Sequence, residues 1–136
     1  MATKVLDSWA LIAFLEDEPA ADQIEKLLAQ AAAEKHKLLL SVVNWGEIYY
    51  NTMREVSQEA AEQKARDIAA LPIDIVGVGD DLALARQAAI FKATHKMAYA
   101  DCFAAALAKE KKADLVTGDP EFKPLEKEIK INWLKH

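Results

Sequence analysis

Short apolar runs, too brief for helices, alternate with stretches of helical periodicity along the whole chain, and that alternation leaves few folds open. The runs lie at 4–6 (KVL), 37–41 (KLLLS), 73–78 (IDIVGV), 114–117 (DLVT) and 129–133 (IKINW). The KLLLS run is continuously apolar at its centre, as in a strand buried on both faces of a parallel sheet covered by helices. Between the runs, 8–15, 20–34, 42–55, 57–71, 80–94 and 99–111 read as helices. In the second of these, Ile24, Leu27, Leu28 and Ala31 recur at three- and four-residue spacing. Ser57 is a good helix N-cap, Pro72 stops the helix that Ser57 starts, and Asp80 is expected to cap the next one. Gly118-Asp119-Pro120 is turn chemistry, with a short helical piece after it. The pattern predicts a three-layer α/β/α domain with a parallel sheet of four or five strands. With 136 residues and no linker or repeat, 1–136 is expected to be one domain.

Such a sheet places functional groups just beyond the carboxyl ends of its strands. Asp7 directly follows the first run, and Asp119 lies two residues past Thr117, the end of the fourth. Asp101 falls in the first turn of the helix that leads into that fourth run. Glu47 falls in the first turns of the helix after KLLLS, with Asn44 three residues earlier on the same face. Each acid alone has a plain structural reading: N-cap for Asp7, dipole partner for Asp101, turn residue for Asp119, solvated carboxylate for Glu47. Together they converge on one sheet edge, and no arginine stands in any of the four local stretches. Carboxylates gathered that closely repel one another. Hard divalent cations relieve this, and a site of oxygen ligands without histidine or cysteine suits Mg²⁺ or Mn²⁺ rather than Zn²⁺. Two such ions can activate water and stabilise the leaving oxygen of a phosphodiester.

The segments around these acids also resemble PIN domains of the VapC toxin type, over nearly the whole chain. The resemblance is carried by Val5-Leu6-Asp7-Ser8 with Ala10-Leu11, and by Ser41-Val42-Val43-Asn44-Trp45-Gly46-Glu47-Ile48. It continues in Tyr99-Ala100-Asp101-Cys102-Phe103-Ala104-Ala105-Ala106 and Leu115-Val116-Thr117-Gly118-Asp119-Pro120-Glu121-Phe122. It implies that Asp7, Glu47, Asp101 and Asp119 form the catalytic metal site, supported by the hydroxyls of Ser8 and Thr117. It implies a parallel sheet in the order 3-2-1-4-5, Mg²⁺- or Mn²⁺-dependent hydrolysis of RNA, and a homodimer. It also implies a small VapB-type antitoxin that wraps the toxin and sets a basic side chain in the acidic site. Trp9 departs from the pattern, which calls for a smaller residue there; it bears on the pocket rim or partner groove.

The net charge of −5, from 22 acidic and 17 basic residues, excludes a protein that coats nucleic acid through a basic surface. Two divalent ions at the acids would bring it near −1. Arg54, Lys92, Lys96, Lys109, Lys111, Lys112 and Lys123 are candidate phosphate contacts. Trp45, Tyr49 and Tyr50 read as a partner patch, base-stacking surfaces or core packing. The single cysteine, Cys102, allows no internal disulfide and reads as a packed helix residue. His36, His95 and His136 lack metal-ligand spacing, and Gly77-x-Gly79 lacks the third glycine of a dinucleotide fingerprint. With no leader pattern and no apolar stretch near ~20 residues, a soluble cytoplasmic protein is expected. Two other readings stay open. One is a catalytically silent PIN-like module that only binds a partner. The other is a phospho-receiver domain, whose Lys-Pro motif Lys123-Pro124 resembles. Receivers carry paired acids after the first strand and an acceptor Asp after the third, whereas here one acid follows the first and Val76-Gly77-Val78 the third.

Overall fold

The computed structural model describes residues 2–135. Five parallel strands form one sheet in the order β3-β2-β1-β4-β5. They are β1 (Ala2–Leu6), β2 (His36–Ser41), β3 (Asp74–Val76), β4 (Asp114–Thr117) and β5 (Ile131–Trp133). Six helices connect them: α1 (Ser8–Leu15), α2 (Ala21–Ala32), α3 (Val42–Glu55), α4 (Gln58–Ala69), α5 (Ala83–Thr94) and α6 (Tyr99–Lys111). A short 3-10 segment, Pro120–Leu125, links β4 to β5.

Strand alternation divides the core between the two faces. Val5, Leu39 and Leu115 point to the face covered by α5, α6 and the 3-10 segment, where Phe91, Leu107, Phe122 and Leu125 pack with them. Leu6, Leu38, Leu40 and Val116 point to the opposite face, against Ala10, Ile24 and Leu28 on one side and Leu11, Ile48 and Ile68 on the other. Helix α6 runs as an almost continuously buried rod from Asp101 to Ala108, which its alanines permit by letting it lie close to the sheet. The Cys102 thiol is fully buried in this layer, and burial pushes its pKa up.

The chain winds outward from β1 through β2 to β3, then returns to build β4 and β5 on the other side. The direction of winding therefore reverses between β1 and β4. A crevice at such a switch point, outside the carboxyl ends of the strands, is where open α/β sheets place their sites.

Several expected boundaries shift for local reasons. The third strand, expected over 73–78, pairs only at Asp74–Val76, because its neighbour β2 ends at Ser41 opposite Val76 and leaves residues 77 and 78 without a ladder partner. Asp80 does not cap α5. Leu82 takes a left-handed conformation (φ 65°) that breaks the helical path, and Asp81 instead accepts the Ala83 amide at 3.2 Å. Helix α2 stops at Ala32 rather than 34, where Glu34 turns left-handed (φ 59°) and the amides of Glu34 and Lys35 bond back to Ala31 and Gln30. Ser57 does cap α4, its hydroxyl accepting the Ala60 amide at 3.0 Å. No helix among the described residues is long and apolar enough to cross a membrane.

Candidate active site: a cluster of carboxylates

Leu6 and Val116 are register partners, so Asp7 and Thr117 stand side by side as β1 and β4 end. The Thr117 hydroxyl donates to Asp7 Oδ2 at 2.6 Å, and its oxygen accepts the Asp119 amide at 3.0 Å. The other Asp7 oxygen accepts the Ala10 amide at 2.8 Å and so caps α1. The structural and the site readings of Asp7 thus hold together. One carboxylate ends β1, starts α1 and is clamped to β4.

Ser8 ties in the next acid. Its buried hydroxyl donates to the Glu47 carboxylate and lies 3.4 Å from the Asn44 carbonyl. Asn44, fully buried, donates from Nδ2 to the Ala100 carbonyl at 3.1 Å and thereby fixes the start of α6 one residue before Asp101. The Asn44 Oδ1 is buried without a hydrogen-bond partner. Asp119 caps the 3-10 segment, its Oδ1 accepting the Glu121 amide at 3.0 Å.

The four predicted acids come together, and a fifth joins them. Carboxylate oxygens of Asp101, Asp119 and Glu121 lie within 4.8 Å of one another. Burial, reinforced by the nearby charges of Asp119, Glu47 and Asp7, pushes the Asp101 carboxyl up to about 8. Burial likewise pushes Asp7 up to about 7, against the lowering effect of its bonds from Thr117 and Ala10 and with added repulsion from Asp119 and Glu47. Sequence pattern does not single out Glu121 beyond its place in the Gly118–Phe122 stretch. Its signal was the turn itself: Pro120 opens the 3-10 segment and brings residue 121 back over the Asp119 carboxylate.

Among the described residues, no lysine, arginine or histidine forms an ion pair with any of these five acids. The set runs from buried Asp7 and Asp101 through half-buried Glu47 and Asp119 to exposed Glu121. An all-oxygen set without a counter-charge is the donor chemistry of a hard divalent cation, and the residues present fit one. The orphaned Asn44 oxygen beside the start of α6 is a further unsatisfied acceptor.

The other candidates separate by position. Asp101 begins α6, and Lys109, Lys111 and Lys112 end it, roughly 15 Å away at 1.5 Å per residue. These three lie at the opposite edge of the sheet from the acids. Lys109 instead pairs with Glu128 at 3.6 Å and covers the Phe91 ring. Lys92 donates to the Met97 carbonyl at 2.6 Å, and Arg54 stacks on Tyr50. Trp45 and Tyr49 are half-buried and stack on each other, and the Tyr49 hydroxyl donates to Glu62, while Tyr50 is exposed. His36 bonds the Leu27 carbonyl and His95 faces Glu128 at 3.5 Å; neither joins the acids. His136 lies outside the described residues. Trp9 lies over Gly118, where a Cβ would sit 2.3 Å from the indole ring. The large residue at position 9 is thus accommodated by the glycine beside Asp119.

The fold is shared with solved toxin–antitoxin structures. The chain superposes on a DNA-bound VapBC from Salmonella typhimurium with a TM-score of 0.75 at 14% identity, covering 97% of this chain and 98% of that one. A VapBC from Rickettsia felis bound to a promoter DNA fragment gives 0.73 at 14% identity, with 98% and 99% covered. A Sarcin-Ricin loop cleaving VapC toxin from Mycobacterium tuberculosis gives 0.69 at 17% identity, with 89% and 93% covered. No protein of curated function matches the chain by sequence. The PIN domain family model matches residues 4–128, nearly the whole chain, and the chain belongs to that family.

Proposed function

We propose that the protein is an endoribonuclease of the VapC type, dependent on Mg²⁺ or Mn²⁺ and acting as the toxin of a VapBC toxin–antitoxin pair. The observation that carries this reading is the assembly of Asp7, Glu47, Asp101, Asp119 and Glu121 at the switch point with no cationic partner among the described residues. Membership of the PIN family supports it, as do structural neighbours that are VapBC complexes and a Sarcin-Ricin loop cleaving toxin.

Asp101, Asp119 and Glu121 would hold the divalent ion directly, with Asp7 and Glu47 completing the oxygen set. When bound, the ion would activate water and neutralise charge on the phosphoryl oxygens. The remaining residues position these ligands. Thr117 Oγ1 holds Asp7 in one rotamer, and the Ser8 hydroxyl holds Glu47. The Asn44 amide holds the first turn of α6 and with it Asp101. Such supporting bonds are typically worth 10- to 100-fold in metal affinity or activity.

A VapB-type antitoxin would inhibit by supplying the basic side chain that the cluster lacks, and a homodimer is the expected assembly. The silent-module reading predicts neither metal binding nor cleavage. The test is incubation of purified protein with a pool of structured RNAs in Mg²⁺, Mn²⁺ or EDTA. Cleavage that requires the metal supports the reading. Equal cleavage in EDTA, or intact RNA with every metal tried, contradicts it.

A further inference from the structure

A cavity of about 450 Å³ opens on the other side of the Asp119 turn, a size within the range of ligand sites. Gly118, Pro120, Lys123, Glu126, Trp133 and Leu134 line it. Gly118 and Pro120 flank Asp119, so the cavity and the acid cluster share one turn. Trp133 Nε1 donates to Glu126 Oε2 at 2.9 Å. That bond uses the indole's only donor and holds the ring by its polar edge, and the residue is 38% exposed. Lys123 is the one cation in the lining, and among the described residues it forms no ion pair.

We propose that this cavity holds one unpaired nucleotide of the RNA next to the scissile phosphate, its base stacked on Trp133 and a neighbouring phosphate on Lys123 Nζ. The inference deepens the nuclease reading above and rests on it. Proteins read single-stranded RNA by stacking splayed bases on aromatic rings and bonding their edges. Here the second oxygen of Glu126 is left to accept an amino or imino N–H of the base, and Pro120 and Leu134 supply apolar walls. Stacking in a cavity also explains how a chain of net charge −5 grips RNA without a basic coat. The chain departs here from proteins whose affinity comes mainly from phosphate contacts.

The test is anisotropy titration of a short, labelled, mixed-sequence single-stranded RNA in EDTA. Trp133→Leu is expected to weaken binding roughly 5- to 100-fold, and Trp133→Phe to restore most of it. Lys123→Gln should lower the slope of log affinity against log salt by about 0.7. If Trp133→Leu folds poorly, an abasic nucleotide in the RNA tests the same contact from the ligand side and should cost the wild-type protein a similar factor. A folded Trp133→Leu that binds as the wild type does overturns the subsite, while loss of cleavage in Asp101→Asn leaves the nuclease reading standing. Cleavage that persists in Asp101→Asn removes the acid cluster as the cleavage centre, and with it the subsite placed beside that cluster.

Discussion

Asp101 is where structural cost and proposed chemistry meet. Its carboxyl is buried among four other acids, and its raised pKa records how poorly the folded chain tolerates its charge. Asp101→Asn removes that charge at similar volume. Without divalent ions, the variant should therefore be more stable than the wild type above about pH 8, and the difference should vanish below about pH 4, where both side chains are neutral in both states. Thermal melts in EDTA across this range check it. Thr117→Val acts oppositely. It strips the hydroxyl from Asp7 and from the Asp119 amide, and should lower stability by about 1–3 kcal/mol and cleavage by roughly 10- to 100-fold. Asp7, Glu47, Asp101 and Asp119 were legible in the sequence because strand ends and helix starts are marked by hydrophobic pattern. Glu121 was not, because its approach depends on a 3-10 turn that no periodicity announces.

At the scale of elements, the turn after β4 is the most constrained join. Trp9 on α1 lies directly over Gly118, so Gly118→Ala should cost about 1–3 kcal/mol through collision with the indole. Trp9→Leu in the same chain should recover much of that loss, and a double-mutant cycle by denaturant unfolding measures the coupling. At the end of α2, Glu34 holds a left-handed conformation that glycine adopts freely, and Glu34→Gly should gain about 1 kcal/mol by the same measurement. Sequence pattern located every strand and helix but erred where partners decide the limits: β3 is cut short by the length of β2, and α5 starts late behind Leu82. The lysines ending α6 stand away from the acids for a related reason. The helix that presents Asp101 to the site carries its own C-terminus to the far edge of the sheet.

For the whole molecule, the acid cluster sets the response to pH and to metal. Asp7 and Asp101 both titrate higher in the folded chain than in the unfolded one, so between about pH 4 and 8 folding takes up protons. The stability they contribute is complete below about pH 4 and is lost as pH rises through about 7 and 8, at a slope of up to about 1.4 kcal/mol per unit for each group. Divalent cations should reverse this at neutral pH, adding about 2.7 kcal/mol at a hundred times the dissociation constant. The sheet order was legible only through the resemblance to PIN domains. Strand periodicity says which residues are buried, not which strands are neighbours. The central claim is that the five carboxylates are a metal site, and calorimetric titration of the apo-protein with Mn²⁺ at pH 7.5 tests it most directly. Saturable binding to the wild type, lost in Asp101→Asn and in Asp119→Asn, is the expected result. Wild-type affinity retained in either variant, or no binding to the wild type, would contradict it.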